Sequence, residues 1–382
     1  MTKQKIVRIT TVPISLEKLL SGQLRYMSSF YEVIAISSER GKLEKLGKSQ
    51  GVAVFPLEMT RRITPLYDLF AVIRLYLFLR KTKPYIVHTH TPKAGIVGMV
   101  AARLAGVPHR LHTVAGLPLL EVSGSKRKLL NWVEQFTYRC ATNVYPNSFG
   151  LMDIILAHDF CAPEKLNVLA NGSSNGIDTS HFSPSLFTAA QNSILKEQLG
   201  IPSDAFVFVF VGRLVKDKGI NEMVVAFELL QKDNPTVHLL LVGDYESDLD
   251  PLSSSTLESI HNNPFLHAVG FQNDVRPYLA LSNVLVFPSY REGFPNGVLQ
   301  AGAMGLPCVV SDINGCNEII ADDINGLIIP VKDALALYNA MKRLATDSDL
   351  LAKMRLHARS LIVSRYEQEV VWNAILETYR SL

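Results

Sequence analysis

Short apolar runs bounded by Gly, Pro, Asn or charged residues recur along this 382-residue chain, separated by segments of helix length. In the first half they fall at residues 5–10, 33–36, 51–55, 86–88 and 110–114. In the second half they fall at 205–211, 237–243, 267–270, 284–287 and 307–312. Most are continuously apolar rather than alternating, as expected of parallel strands covered on both faces. Helices are predicted over 16–30, across Gly22, and over 65–80, 96–105, 129–141 and 220–231. The strand-helix alternation predicts an α/β fold of doubly wound parallel sheets. Residues 172–184 are rich in Gly, Ser, Asn and Pro and break both periodicities, which marks a linker. A chain of this length is too long for one typical core, so two domains are expected.

Within the 65–80 helix, Leu66, Leu69, Phe70, Ile73, Leu77 and Phe78 form an apolar stripe expected to pack on a sheet. Arg61, Arg62, Arg80, Lys81 and Lys83 flank it, so a membrane-surface role for its ends is the alternative. The hydrophobic content of 48% and charged content of 19% are those of a globular enzyme rather than a disordered or fibrous chain. Four cysteines, Cys140, Cys161, Cys308 and Cys316, lack metal-ligand spacing, and the N-terminus leads directly into a strand, which together suggest a reduced, cytoplasmic setting. The apolar stretch 69–79 is interrupted by Arg74 and is too short to span a bilayer.

A net charge of +3 conceals an asymmetry. Residues 1–180 carry 23 Lys and Arg against 12 Asp and Glu, +11; residues 181–382 carry 15 against 23, −8. A basic half suits an anionic membrane surface or a phosphorylated acceptor, or is simply a solvated surface; no basic-aromatic motif points to nucleic acid.

The densest candidate chemistry follows the run at 284–287. Glu292 sits beside Gly293-Phe294-Pro295, and Asn296-Gly297 opens a helix whose free amides face back toward that acid. Gln300, eight residues after Glu292, would lie on the same helix. An ordinary strand-to-helix turn with a surface glutamate is the competing interpretation. After the run at 205–211, Gly212 permits close backbone approach, and Arg213 and Lys218 can both reach phosphate oxygens above a helix start, without the Walker spacing. In the first half, His88 and His90 end a strand with no third metal ligand nearby and are expected to face apart. Thr113, Ala115 and Gly116 end the next strand, and Lys126, Arg127 and Lys128 precede a helix, either to clamp a diphosphate or only to solvate it.

Gly212-Arg213 with Lys218-Gly219, Asn175-Gly176-Ile177-Asp178, Glu292-Gly293-Phe294-Pro295, and Asp312 with Gly315 together resemble the retaining nucleotide-sugar glycosyltransferases of the GT-B fold, family four. The resemblance covers nearly the whole chain. It is similar in particular to bacterial enzymes that extend lipid-diphosphate-linked oligosaccharides for capsule, O-antigen or protein glycans. It implies two Rossmann-like domains facing across a cleft: an acceptor-binding domain at 1–174 with a returning helix at 366–382, and a nucleotide-sugar domain at 175–365. By motif position, Arg213 and Lys218 would neutralise the donor diphosphate and Glu292 would hold the transferred sugar. Gly212, Gly293, Phe294, Pro295, Asn296, Gln300 and Val269 would complete the donor site, with Thr113, Ala115, Gly116, Lys126, Arg127 and Lys128 toward the acceptor. The implied partners are a nucleotide-sugar, probably UDP-linked, and a lipid-linked glycan at the inner face of a membrane, with no nucleic acid, cofactor or metal.

The chain departs from the family in three places. Position 300 is Gln where the family has a second acid, Ala115 stands where a histidine is common, and the Gly-Gly loop after the first strand is missing. Two other functions stay open at the sequence level: a sugar-nucleotide epimerase of the same architecture, and, given Ala115 and Gln300, a weakened sugar-binding subunit of a glycan-assembly complex.

Overall fold

The computed structural model describes residues 3–60, 64–117, 119, 123–246, 248 and 250–382; Arg61, Arg62, Pro118 and Leu249 lie outside the described residues. The chain divides into two compact units, Met1–Gly176 with Glu369–Leu382, and Ile177–Gln368. The first contains β1 (Lys5–Ile9), α1 (Pro13–Leu19), α2 (Gln23–Ser28), β2 (Glu32–Ser37), α3 (Arg40–Gln50), β3 (Ala53–Pro56), α4 (Pro65–Thr82), β4 (Ile86–Thr89), α5 (Pro92–Leu104), β5 (His109–Val114), α6 (Gly124–Cys140), β6 (Asn143–Pro146) and α7 (Phe149–Ala157). The second contains α8 (Ala189–Gln198), β7 (Phe206–Val211), α9 (Ile220–Asp233), β8 (Val237–Val242), α10 (Ser254–Asn262), β9 (Leu266–Ala268), α11 (Arg276–Ala280), β10 (Val284–Phe287), α12 (Asn296–Ala303), β11 (Cys308–Ser311), α13 (Cys316–Ile319), β12 (Gly326–Ile329), α14 (Ala334–Thr346) and α15 (Ser348–Tyr366). The last helix, α16 (Gln368–Arg380), supplies Val371, Ile375, Leu376 and Tyr379 to the core of the first unit.

Both sheets are parallel and share one topology. The orders are β3-β2-β1-β4-β5-β6 and, read from the opposite edge, β9-β8-β7-β10-β11-β12. Strand order reverses between β1 and β4 in one unit and between β7 and β10 in the other. Such switch points open a crevice at the carboxyl ends of the strands, where ligands of this architecture bind. The doubly wound α/β expectation from periodicity therefore holds. The central strand β7, all Phe and Val, has its middle residues fully buried because helices cover both faces.

Three local expectations are corrected. The helix predicted over 16–30 is broken at Gly22, whose φ of +74° places it in the left-handed region and where a Cβ would lie 2.7 Å from the Trp372 ring. The stripe in α4 faces outward: Ala71, Leu75 and Leu79 are buried, while Leu66, Leu69, Phe70, Ile73 and Leu77 are exposed. Helix α4 packs against α5, whose buried residues are mostly small (Ala94, Gly95, Gly98, Ala101 and Ala102) with Val97 and Met99 among them. His88 and His90 lie on the same side of β4 and its extension, ring centroids 4.2 Å apart, because residues two apart on a strand share a face.

Those two histidines belong to a polar network buried in the first unit. Arg8 on β1 is fully buried and donates to His90 Nε2 at 3.0 Å, to the Tyr379 hydroxyl at 2.9 Å and to Gln23. His88 bonds the Tyr379 hydroxyl at 2.5 Å and Thr113 at 2.8 Å; His112 bonds Thr89 at 2.7 Å. The three named acceptors of the guanidinium are neutral, so burial and the Arg8 charge together hold His88 and His90 well below the usual imidazole range. Burial pushes His112 down to about 4. The unfolded chain thus binds more protons than the folded one between about pH 6.5 and 4, and stability that is present above 6.5 is lost as pH falls through that window. His112 alone accounts for about 2 kcal/mol between pH 7 and pH 5. Urea midpoints measured from pH 8 to pH 5 are expected to fall steadily below pH 6.5; a flat profile would show that these histidines are charged in the folded protein.

Candidate functional site

In the second unit the switch point is built by two loops that leave adjacent strands. After β7 the chain turns through Gly212 and a single 3-10 turn at Lys216–Lys218, then enters α9 at Gly219. Gly219 has φ +68°, and a Cβ there would sit 2.1 Å from the Pro288 carbonyl oxygen, so the loop leaving β10 lies directly against the start of α9. Two further bonds join the loops: the Tyr290 amide donates to the Asp217 carbonyl at 2.8 Å, and the Arg291 guanidinium reaches the Asp217 carboxylate at 2.6 Å. Asp217 is held in turn by its own amide donating to Asp250 at 2.7 Å.

This stitching brings Lys218 to Glu292. Their Nζ and Oε1 atoms are 2.5 Å apart, with side chains only 13% and 17% exposed. Removing either partner would strand the other as a poorly solvated charge, so the pair fixes both loops. Arg213 is placed differently. It forms a 2.5 Å ion pair with Glu246, and half of its side chain remains exposed. Exposed pairs of that kind contribute about 0 to 1 kcal/mol, so Arg213 can exchange Glu246 for an incoming anion at little cost.

A third loop, after β11, braces Glu292 from behind. The Asn314 side-chain amide donates to the carbonyls of Glu292 at 2.5 Å and Gly293 at 3.3 Å. Gly315, at φ +78°, leaves no room for a Cβ, which would meet the Gly293 carbonyl at 2.7 Å. Cys316 follows; burial first, and the Glu292 charge second, raise its thiol well above the usual range and keep it neutral. On the other side of β7, Gly243 ends β8 so close to Gly212 that a Cβ would fall 1.8 Å from the Gly212 carbonyl. Val269 closes the row at the end of β9, its amide bonded to Leu241.

The other donor-side candidates divide by orientation. Phe294 packs toward the core, its ring 5.4 Å from that of Tyr366, and Pro295 is buried as the N-cap of α12; both shape the turn. Asn296 is exposed and Gln300 half-buried on α12. In the first unit Thr113 is turned inward onto His88, and Arg127 is committed to Asn131, the Leu119 carbonyl and His158. Lys126 and Lys128 are exposed, and the space where a Cβ of Gly116 would lie is open. Sequence reasoning assigned no role to Asp217, Glu246 or Asn314. A carboxylate between two lysines in the loop before α9 was the available signal for Asp217; the partners of Glu246 and Asn314 are distant in sequence. Among the described residues, no group of three His, Cys, Asp or Glu side chains is placed to hold a metal ion.

The arrangement supplies fixed cations and backbone amides at the start of α9 for a diphosphate, with a carboxylate beside them for a polyol. Comparison with known proteins agrees with that chemistry. Residues 191–361 match the family model of glycosyl transferases group 1, and residues 25–172 match a glycosyl transferase 4-like domain. The chain is 30% identical to the capsular polysaccharide biosynthesis glycosyltransferase CapM of Staphylococcus aureus, over 100% of this chain and 98% of that one. It is 32% identical to an Escherichia coli UDP-Gal:alpha-D-GlcNAc-diphosphoundecaprenol alpha-1,3-galactosyltransferase, over 96% and 94% of the two chains. The crystal structure of HepE from Anabaena, in complex with UDP and glucose, superposes with a TM-score of 0.81 at 20% identity, covering 99% of this chain and 100% of that one.

Gly219→Ala tests the contact on which the loops depend, since it adds a Cβ both in the left-handed region and against the Pro288 carbonyl. It should lower the unfolding free energy by more than about 2 kcal/mol in urea titration. An unchanged midpoint would mean that the two loops are not in contact.

Proposed function

Because the chain belongs to the glycosyl transferases of group 1, we propose that it moves a sugar from a nucleotide-sugar, UDP-linked, to a lipid-linked glycan acceptor in surface polysaccharide assembly. The observation that carries this is the Lys218–Glu292 pair at the switch point beside the start of α9. In this reading its lysine meets the diphosphate and its carboxylate meets the attached sugar. The activity of a relative supports the same donor and acceptor classes: the E. coli enzyme takes UDP-Gal and a diphosphoundecaprenol-linked sugar.

In this reading the acceptor hydroxyl forms a bond to the anomeric carbon while the bond from that carbon to the diphosphate oxygen breaks. Attack occurs on the face from which the diphosphate leaves, so configuration is retained, and the hydroxyl proton passes to the departing phosphate oxygen. Lys218 and Arg213 stabilise the charge that develops on the diphosphate, which is where electrostatic catalysis acts most strongly. Glu292 holds the sugar and favours positive charge at its anomeric carbon. Gln300, whose amide has no side-chain hydrogen bond to the described residues, takes the ribose hydroxyls as both donor and acceptor. With the diphosphate charge met by side chains and amides, turnover needs no metal ion. On the acceptor side, Lys126 and Lys128 are assigned to the lipid-linked diphosphate, with the open backbone at Gly116 admitting the glycan. Ala115 contributes no proton-transferring group. Among the described residues no helix is long and apolar enough to cross a membrane, and the enzyme is proposed to work in the cytoplasm, held peripherally at the membrane's inner face.

Kinetics separate these roles. Lys218→Ala is expected to cut turnover by about 100-fold, and Glu292→Gln by about 10- to 1000-fold. Gln300→Ala should instead raise the donor KM by about tenfold while leaving kcat nearly unchanged, because its contact is equal in the ground and transition states. Activity should persist in excess EDTA. Undiminished turnover in Lys218→Ala would remove the proposed diphosphate site, and loss of kcat in Gln300→Ala would reverse the assignment of the pair.

A further inference from the structure

The outward stripe of α4 has no counterpart in the transfer chemistry. Leu66 is 73% exposed, Tyr67 77%, Phe70 69% and Leu77 61%, with Leu69 and Ile73 about half exposed. Helices α4, α5 and α6 pack side by side in that order on one face of the first unit. On α6, Trp132 is also exposed, stacked on Phe136 with centroids 5.3 Å apart, and Leu129 is exposed one turn earlier. The three helices together carry nine Lys and Arg against two acids. Neither acid is free on the surface: Asp68 is paired with Lys93, and Glu134 is buried. Arg74, Arg80, Lys81, Lys126 and Lys128 are exposed around the apolar side chains.

Large apolar side chains, Trp and Tyr among them, ringed by cations and with no free acid on the three helices, match the layering of a lipid-water interface. Acyl chains take the apolar side chains, the headgroup level suits the aromatic rings, and anionic lipid attracts the cations. A symmetric pairing of two copies through this face would oppose two strongly cationic surfaces, which like-charge repulsion disfavours. We propose that the outer face of α4 and α6 docks the protein on an anionic bilayer, with Leu66, Leu69, Phe70 and Ile73 inserted among the acyl chains. Parallel crossovers start their helices at the carboxyl edge of the sheet, so the inserted end of α4 lies on the same edge as Gly116 and the start of α6. The docking rests on the lipid-linked acceptor reading for its purpose, but on the exposed face for its existence. It differs from attachment by charge alone, because insertion survives salt that screens surface charge.

The test uses the full-length protein and two kinds of vesicle, phosphatidylglycerol with phosphatidylethanolamine, and phosphatidylcholine alone. Co-sedimentation with the anionic vesicles is expected, weakened but retained at about 0.5 M NaCl. Their addition should shift tryptophan emission to the blue, and Trp132→Phe should remove the shift, since Trp372 is held against α2 and Asn175. The triple variant Leu66→Ser, Phe70→Ser, Ile73→Ser should reduce vesicle partition by about tenfold or more. It should keep the wild-type urea midpoint and the wild-type rate of transfer to a water-soluble, short-chain acceptor. Absence of wild-type sedimentation at low salt, or equal binding by the triple variant, overturns the docking. Lipid-free self-association that the triple variant abolishes also overturns it, by giving the face to a second copy. Sugar transfer without vesicle binding defeats the docking alone; vesicle binding that depends on the stripe, without transfer to any acceptor, defeats the transferase reading alone.

Discussion

A lysine and a glutamate separated by 74 positions in the chain, and almost shielded from water, hold the second unit's ligand edge in one arrangement. Neither side chain can leave without exposing the other as an unpaired charge in a poorly solvated place. The surrounding features serve that contact. Gly219 lets the loop from β10 pass against α9, Asp217 ties the two loops by backbone and side chain, and Asn314 with Gly315 supports the carbonyls behind Glu292. In the proposed reading, a diphosphate replaces the carboxylate partner of the lysine and releases the carboxylate to a sugar hydroxyl.

The two units use one topology for different ends. At the first unit's switch point the side chains close on themselves: Thr11 and Thr91 bond across the gap at 2.7 Å, and the buried Arg8 is bonded to neutral groups from β4, α2 and α16. That network anchors the C-terminal helix to the first strand through Tyr379. At the second unit's switch point the groups are charged and paired loosely enough, in the case of Arg213 and Glu246, to be exchanged. Equal strand order therefore carries a closed network of buried polar groups in one unit and charged pairs, one of them half-exposed, in the other. Side-chain chemistry at the strand ends decides the difference.

Much of this was legible from the chain alone. Continuous apolar runs such as residues 206–211 report burial on both faces, which few arrangements other than a helix-covered parallel sheet satisfy. The Gly212–Gly219 loop and Glu292 stood out in the sequence because glycine and charge at strand ends have few structural uses; the structure brings the two together through Lys218, and their roles toward a diphosphate and a sugar are the proposal made above. What was missed depends on tertiary contact. The break at Gly22 requires Trp372, from the other end of the chain. The α4 stripe was misassigned because periodicity identifies an apolar face without saying what covers it, and in α4 the face of Ala71, Leu75 and Leu79 turned inward instead. The partner of Arg213 was invisible for the same reason: Glu246 follows another strand. The histidine pair is a different case, since strand geometry alone places His88 and His90 on one face.

The claim that the donor opens the Lys218–Glu292 pair is tested most directly by a crystal structure of the protein with an intact, non-transferable nucleotide-sugar bound. The account predicts Lys218 Nζ in hydrogen-bond contact with a diphosphate oxygen and the Glu292 carboxylate on a hydroxyl of the sugar. A diphosphate bound elsewhere, with the lysine and glutamate still joined as an ion pair, would contradict it.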